Sequence, residues 1–293
     1  RPPTYMLICR YSAAECRDVY VEAADEIFGR RSSFIGSIFR PRHSAAPLEA
    51  WLSKYLSTRT LGDLEHYMLV TSFCVDGTPS EQALHNKRGD DERRGWRPAV
   101  FSNLPFAEGI AAPDDELSCL EAAMRSSAAP TFFPLRNGYA DGALFAANPT
   151  LVAATKALAH FPTLRRTEIR VLSIGAGAWR QALEDRAGNW GLKQWAPHLL
   201  SLLLDSNSLS TELLVSYLLG SSKTVHRIDP VFSDEYIAID DAKSVPRLIQ
   251  LAEETDLTAT FHFLDQQFAQ KGADVEAEPY MRALQVRSRS RVS

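Results

Sequence analysis

The sequence predicts an α/β fold built on a mainly parallel sheet. The run Tyr67 to Val75 is too apolar and too rich in β-formers to be half exposed, so it reads as an interior strand. Ile169 to Ile174 is a second strand, stopping at Gly175-Ala176-Gly177. Helical segments lie between and after these runs, and strand, helix, strand in succession implies parallel pairing through right-handed crossovers.

Taken in order, Ser12-Ala13-Ala14-Glu15 has the form of a capping box, and Cys16, Val19, Tyr20, Ala23 and Ile27 follow at helical spacing. A helix is expected from about Ser12 to Phe28. Arg30 to His43 is basic and broken by Gly36 and Pro41, which marks a loop. Pro47 then opens a second helix with Leu48, Trp51, Leu52 and Tyr55 on one face. Between Asp76 and Trp96, charges of both signs cluster without periodicity, the pattern of a solvated loop. Arg97 to Ser102 is a short strand candidate. A helix from Glu116 carries Leu117, Leu120, Ala123 and Met124, and ends near Ala129 because Pro130 disfavours helical geometry in the residue before it. Thr131-Phe132-Phe133-Pro134 is an apolar bend. Further helices are expected from Pro149, over Leu192 to Asp205, Ser208 to Leu219 and Val245 to Gln270, with a short strand at Val225 to Ile228. Residues 272–293 read as a frayed tail. With no internal repeat and no clear linker, residues 1–271 are expected to form one domain, with helical additions over about 190–271.

Composition narrows the function classes. The chain has 293 residues, 36 acidic and 32 basic, a formal charge of −4, with 45% apolar residues, enough for a sizeable core and incompatible with disorder throughout. Near-balanced charge gives no field for gripping a phosphate backbone, so nucleic acid is not an expected partner. Cys9, Cys16, Cys74 and Cys119 are widely spaced, without a C-x-x-C pair or a nearby His at zinc spacing, which favours buried thiols over a metal site or a disulfide framework. The longest apolar run, Leu199 to Leu204 with Ser201 inside it, falls far short of the ~20 residues that span a bilayer, so no transmembrane segment is expected. A soluble chain, cytoplasmic or peripheral to a membrane, is the corresponding expectation. The first residue is Arg1 and the segment to Ile8 lacks a signal-peptide plan, so the start reads as the inside of a longer chain.

Asp141-Gly142-Ala143 is the most informative candidate for chemistry. An acidic residue at a strand end, followed by Gly, sits where a carboxylate faces a cleft and a second backbone comes close. The dipeptide by itself is equally the signature of a turn. Its surroundings add weight. Ala122-Ala123-Met124-Arg125-Ser126-Ser127-Ala128-Ala129-Pro130-Thr131-Phe132-Phe133-Pro134, followed by Tyr139-Ala140-Asp141-Gly142-Ala143 and Ala147-Asn148-Pro149, resembles a block of the patatin-like phospholipases. Val171 to Gly177, Asn189-Trp190-Gly191-Leu192 and Ile239-Asp240-Asp241-Ala242 are similar to later parts of the bacterial-type members, so the likeness runs from about Ser12 to Glu254.

The resemblance implies a three-layer α/β fold and a lipid acyl hydrolase using a Ser-Asp dyad, with no metal or cofactor and with a lipid or phospholipid as substrate. Asp141 matches the dyad aspartate, Gly142 and Ala143 the small residues after it, and Asn148 the asparagine of the following turn, where the family usually shows two. The family also needs a glycine-rich oxyanion loop and a G-x-S-x-G nucleophile elbow. Neither is present: no serine has Gly at both −2 and +2. The expectation is therefore a fold lacking its N-terminal strand, glycine loop and elbow, with the nucleophile absent from these residues. The competing expectation is an inactive family member with a binding or regulatory role.

Other signals are weaker. Gly175-Ala176-Gly177 starts like a dinucleotide loop, but Arg180 stands where the third glycine belongs. Gly220-Ser221-Ser222-Lys223-Thr224 follows a helix and is better read as a helix C-cap than a phosphate loop. The seven histidines show no i, i+4 pairing of a metal site. Phe132, Phe133 and Tyr139 are expected in the core. Phe34 to Phe39, beside Arg30, Arg31, Arg40 and Arg42, are the candidate for contact with a lipid surface.

Overall fold

The computed structural model describes residues 11–29, 39–56, 58–77, 95–104, 114–179, 188–196, 198–232 and 237–269. Helix α1 (Ala13–Phe28) starts at the expected capping box: Glu15 N–H donates to Ser12 Oγ at 3.2 Å, and Ser12 N–H donates to Glu15 Oε2 at 2.7 Å. Helix α2 (Ala46–Leu56) buries Leu48, Trp51, Leu52 and Leu56 against α1. Beneath them lies a sheet of strands β1 (Leu69–Cys74) and β2 (Arg97–Ser102), covered by helix α3 (Cys119–Ser126) and completed by β3 (Tyr139–Asp141). Leu56, Leu61, Cys74, Cys119 and Ala122 are fully enclosed at the centre of this layer pair.

The second half begins with the short helix α4 (Ala143–Ala146) and helix α5 (Thr150–His160), followed by β4 (Val171–Ile174) and the two-residue β5 (Ala178–Trp179). Helix α6 (Leu192–Trp195) is a single turn, and α7 (Leu199–Leu219) packs on α4 and α5. Strands β6 (Val225–Ile228) and β7 (Val231–Phe232) pair with β4 and β5, and α8 (Val245–Glu253) and α9 (Thr258–Leu264) follow. Among the described residues, no helix is long and apolar enough to cross a membrane.

The molecule is α/β, but the expected mainly parallel sheet is corrected. Among the described residues the largest sheet, in order β2-β1-β3, is antiparallel: Ser72 faces both Ala99 and Asp141 in register. The α3 crossover does link two strands of like direction, β2 and β3. However, β1 lies between them in the opposite sense, and strand-helix-strand order carries no signal for such an insertion. Among the described residues, parallel pairing is confined to β4 with β6 and β5 with β7. It arises where the crossover contains α7, the arrangement the handedness rule favours.

Two helix boundaries also differ. The expected pair over 192–205 and 208–219 is the one-turn α6 and a continuous 21-residue α7. Ser206-Asn207-Ser208 suggests a break because such side chains compete for backbone groups. Here Ser206 Oγ bonds back to Leu203 O at 3.1 Å within the helix, and the Asn207 amide finds partners on another element. The expected helix from Val245 to Gln270 divides at Thr255 to Leu257, where Asp256 Oδ1 accepts from Thr258 N–H at 2.8 Å and starts α9 anew. The frayed-tail segment 272–293, Cys9 and most of the loop 76–96 lie outside the described residues.

Candidate functional site

Asp141 is the last residue of β3, and both its neighbours in the sheet and its own backbone are held. Asp141 N–H donates to Ala128 O at 2.9 Å, and Ser72 Oγ on β1 donates to Ala140 O at 2.8 Å. The half-buried carboxylate accepts from Ala143 N–H through Oδ1 at 2.7 Å. The turn reading of Asp-Gly is thus realised, and it leaves the carboxylate on a cleft wall rather than in the core. Gly142 adopts ordinary right-handed geometry, φ −62°, so its need for glycine is steric. A Cβ there would overlap the Thr71 carbonyl of β1. Gly142→Ala must push β1 and the Asp141 turn apart, and the expected loss is about 1–3 kcal/mol, read as a lower midpoint in urea.

The turn after Asp141 is clamped from a distance. Asn207 Oδ1, on α7, accepts from Ala147 N–H at 2.9 Å, and its Nδ2 donates to Phe145 O at 2.7 Å. Those are backbone groups that a four-residue helix cannot satisfy internally. Asn148 is buried, and its Oδ1 accepts from Thr150 N–H at 3.1 Å and from Thr150 Oγ1 at 2.5 Å. Its role is to start α5. From Thr150 a polar chain runs through Ser173 Oγ, 3.2 Å away, to Arg227 Nη1, 2.7 Å from that hydroxyl.

Arg227 is the hub of the second half of the site. Its guanidinium pairs with Asp229 Oδ2 at 2.5 Å and with Glu212 Oε1 at 2.7 Å. Asp229 Oδ1 in turn accepts from Gly177 N–H at 2.9 Å. The expected glycine turn at Gly175 to Gly177 is therefore a packing device: a Cβ at Gly175 would strike Asp229, and one at Gly177 would strike the Phe232 ring. The glycines make room for the chain's own side chains, and a strand rather than a helix follows. At Gly220 the helix C-cap reading holds, with φ 69°.

A cleft of about 1140 Å³ joins these features, with Asp141, Ala143, Gly177, Asp205, Glu212, Arg227 and Asp229 on its walls. Its apolar walls come from α1, α2, α7 and the bend at Phe132-Phe133. Burial, and then the charge of Asp229, push the Asp205 carboxyl up from its ordinary value. Tyr139 is buried as expected, and Phe133 packs against the core while also reaching the cleft. Phe39 is 82% exposed, whereas Phe34, Ile35 and Ile38 lie outside the described residues.

Cys16, Cys74 and Cys119 are buried thiols, with Cys74 Sγ donating to Asp76 Oδ1 and Cys119 Sγ to Thr60 O, both at 3.3 Å. Among the described residues, no group of three or more His, Cys, Asp or Glu side chains is arranged to hold a metal ion. His226 and His43 have side-chain hydrogen-bond partners away from the cleft residues named above. His226 meets Thr260 Oγ1 at 2.8 Å, and His43 forms a buried pair with Asp240, Nε2 to Oδ2 3.0 Å.

Of the residues the sequence singles out, Asp141 and Ala143 line the cleft and Gly142 and Asn148 shape the turns beside it, whereas Asn207, Glu212, Arg227 and Asp229 are not singled out. Asp229 carried a usable signal: an acid directly after a strand and before Pro230. Asn207, a poor helix former inside an apolar helix, carried another.

The α/β fold thus sets a half-buried aspartate at a strand end on the wall of a large cleft with many apolar residues. Comparison with known proteins finds distant relatives. The chain is 25% identical over 224 residues to the cGAMP-activated phospholipase of Pseudomonas aeruginosa (strain BWHPSA011 / Pa011), covering 74% of this chain and 61% of that protein. It is also 25% identical over 204 residues to the protein of Bacillus subtilis (strain 168) named "Putative sporulation hydrolase CotR", covering 60% of each. The chain spans about three fifths of the length of these relatives. No family model matches it.

Proposed function

We propose that the protein belongs to a lipid acyl hydrolase of the patatin-like type, in which Asp141 is the base of a Ser-Asp dyad. On this reading residues 1–271 are the later part of a three-layer domain, carrying the aspartate but not the serine. The observation that carries the reading is the position of Asp141: at a strand end, backbone fixed on both sides, carboxylate on the wall of an apolar cleft. The phospholipase relative supports lipid as the substrate class.

The chemistry follows from a carboxylate beside a hydroxyl. A serine hydroxyl attacks the ester carbonyl while its proton passes to Asp141. Collapse of the tetrahedral oxyanion breaks the bond to the alcohol, which leaves with that proton, and an acyl-enzyme remains. Water then attacks, giving its proton to Asp141, and the fatty acid departs as the serine hydroxyl is restored. The oxyanion needs preset N–H donors, which the family places in a glycine-rich loop that this sequence does not contain.

The deciding experiment measures fatty-acid release from phospholipid and monoacylglycerol, with fluorophosphonate labelling alongside. The 293-residue chain alone is expected to show neither. The same chain joined to an upstream G-x-S-x-G segment is expected to show both. Turnover by the chain alone would overturn the assignment of the nucleophile. An inert joined form would overturn the hydrolase reading in favour of a binding or regulatory role.

A further inference from the structure

The cleft combines apolar walls with an unbalanced set of charges. Ala23 and Ile27 of α1, Phe132 and Phe133, and Leu202 and Leu209 of α7 contribute apolar groups to its walls. Against these, the charged side chains on the walls among the described residues are four carboxylates, Asp141, Asp205, Glu212 and Asp229, and one guanidinium, Arg227. Leu202, Asp205, Leu209 and Glu212 recur at helical spacing, so α7 presents acid and apolar groups to the cleft on one face.

Arg227 does not offset this excess toward a ligand. Its Nε lies 3.0 Å and its Nη2 2.5 Å from Asp229 Oδ2, Nη1 is 2.7 Å from Ser173 Oγ, and Nη2 is 3.4 Å from Ser208 Oγ. Glu212 holds the same guanidinium at 2.7 Å. An anionic headgroup would have to displace these carboxylates to reach it.

We infer that the cleft is a binding site for lipids with uncharged headgroups, acylglycerols above all, and that Asp205 and Glu212 are specificity-determining residues that disfavour anionic phospholipids. This inference rests on the acyl-cleft reading above. Like charges several ångströms apart at a partly screened site cost enough to give a preference on the order of tenfold. Being electrostatic, the preference weakens as salt screens it.

The test is calorimetric titration of the 293-residue chain, below the micelle threshold, with monodecanoylglycerol and with the lysophosphatidylglycerol of the same chain length. The neutral lipid is expected to bind about tenfold tighter at low salt, with the gap closing as salt is raised. In Asp205→Asn and in Asp205→Asn with Glu212→Gln, the gap is expected to narrow stepwise, because binding of the anionic lipid improves more than that of the neutral lipid. Asp205 is exposed, so the single variant keeps the test independent of any unfolding of the double one. Equal binding of the two lipids, tighter binding of the anionic one, or a gap indifferent to both variants would overturn the selectivity and leave the acyl cleft standing. If neither lipid binds, the acyl-cleft reading fails first and the selectivity with it.

Discussion

Asp141→Asn, placed in a form of the enzyme that turns over esters, is expected to lower kcat by about 10²–10⁴-fold while leaving KM within a factor of about two. The asparagine is nearly isosteric, and its Oδ1 can still accept the Ala143 N–H bond that now measures 2.7 Å. The turn, the Gly142 contact with Thr71 and the Asn207 clamp on α4 are therefore retained, and the unfolding midpoint should not move. What is lost is the ability to take a proton. Asp141→Ala separates the two roles, since it removes both the base and the turn acceptor. It should match the Asn variant in kcat and additionally lose about 1 kcal/mol of stability, as caps do. Steady-state kinetics and urea unfolding on the pair of variants provide the check. Retained turnover in Asp141→Asn would show that the carboxylate serves only the turn.

Signals confined to a few neighbouring residues were legible in the sequence. The Ser12–Glu15 box, strands at Arg97–Ser102 and Val225–Ile228, and the Asp-Gly turn depend on local chemistry, and each stands where it is expected. Sheet direction was not legible, because the insertion of β1 between β2 and β3 depends on how distant strands compete for edges. The site follows the same division. Asp141 and Gly142 announce themselves, whereas Arg227 acquires its meaning only when β6 brings it beside Ser173 on β4, and Glu212 only because α7 turns that face to the cleft. Asn207 looks like a helix break until α4 supplies the backbone groups its amide requires. The glycines of the 175–177 turn make the point in reverse: a pattern like a ligand loop is explained by the Asp229 carboxylate and the Phe232 ring that fill it.

The largest stability effect is expected at Asp240. Its carboxylate is almost fully enclosed, with His43 Nε2 3.0 Å away and Arg42 Nη1 at 3.7 Å. His43 is equally enclosed, its ring clustered with those of Phe28 and Phe133. Asp240→Ala strips the buried His43 ring of its acceptor and the half-exposed Arg42 of its ion-pair partner, and losses of this kind lie between those for a buried hydrogen bond and for a buried ion pair, about 3 kcal/mol. Asp240→Asn keeps an oxygen opposite His43 and should lose about 1 kcal/mol, the charge-assisted part of the bond. The effect should also travel. Arg42 and His43 donate their backbone N–H groups to Thr131 O at 3.0 Å and Phe132 O at 2.9 Å, which fixes the bend where Thr131 holds a left-handed φ of 70°. That bend forms a wall of the cleft and leads into β3, so loosening Asp240 should raise amide exchange at residues 131–133 more than at β1. Hydrogen exchange followed by mass spectrometry can read both segments in one experiment. Uniform exchange across the two would reduce the pair to a general staple. Selective exposure of the bend would make a buried pair, 197 residues apart in sequence, the anchor of the cleft wall nearest Asp141 along the chain.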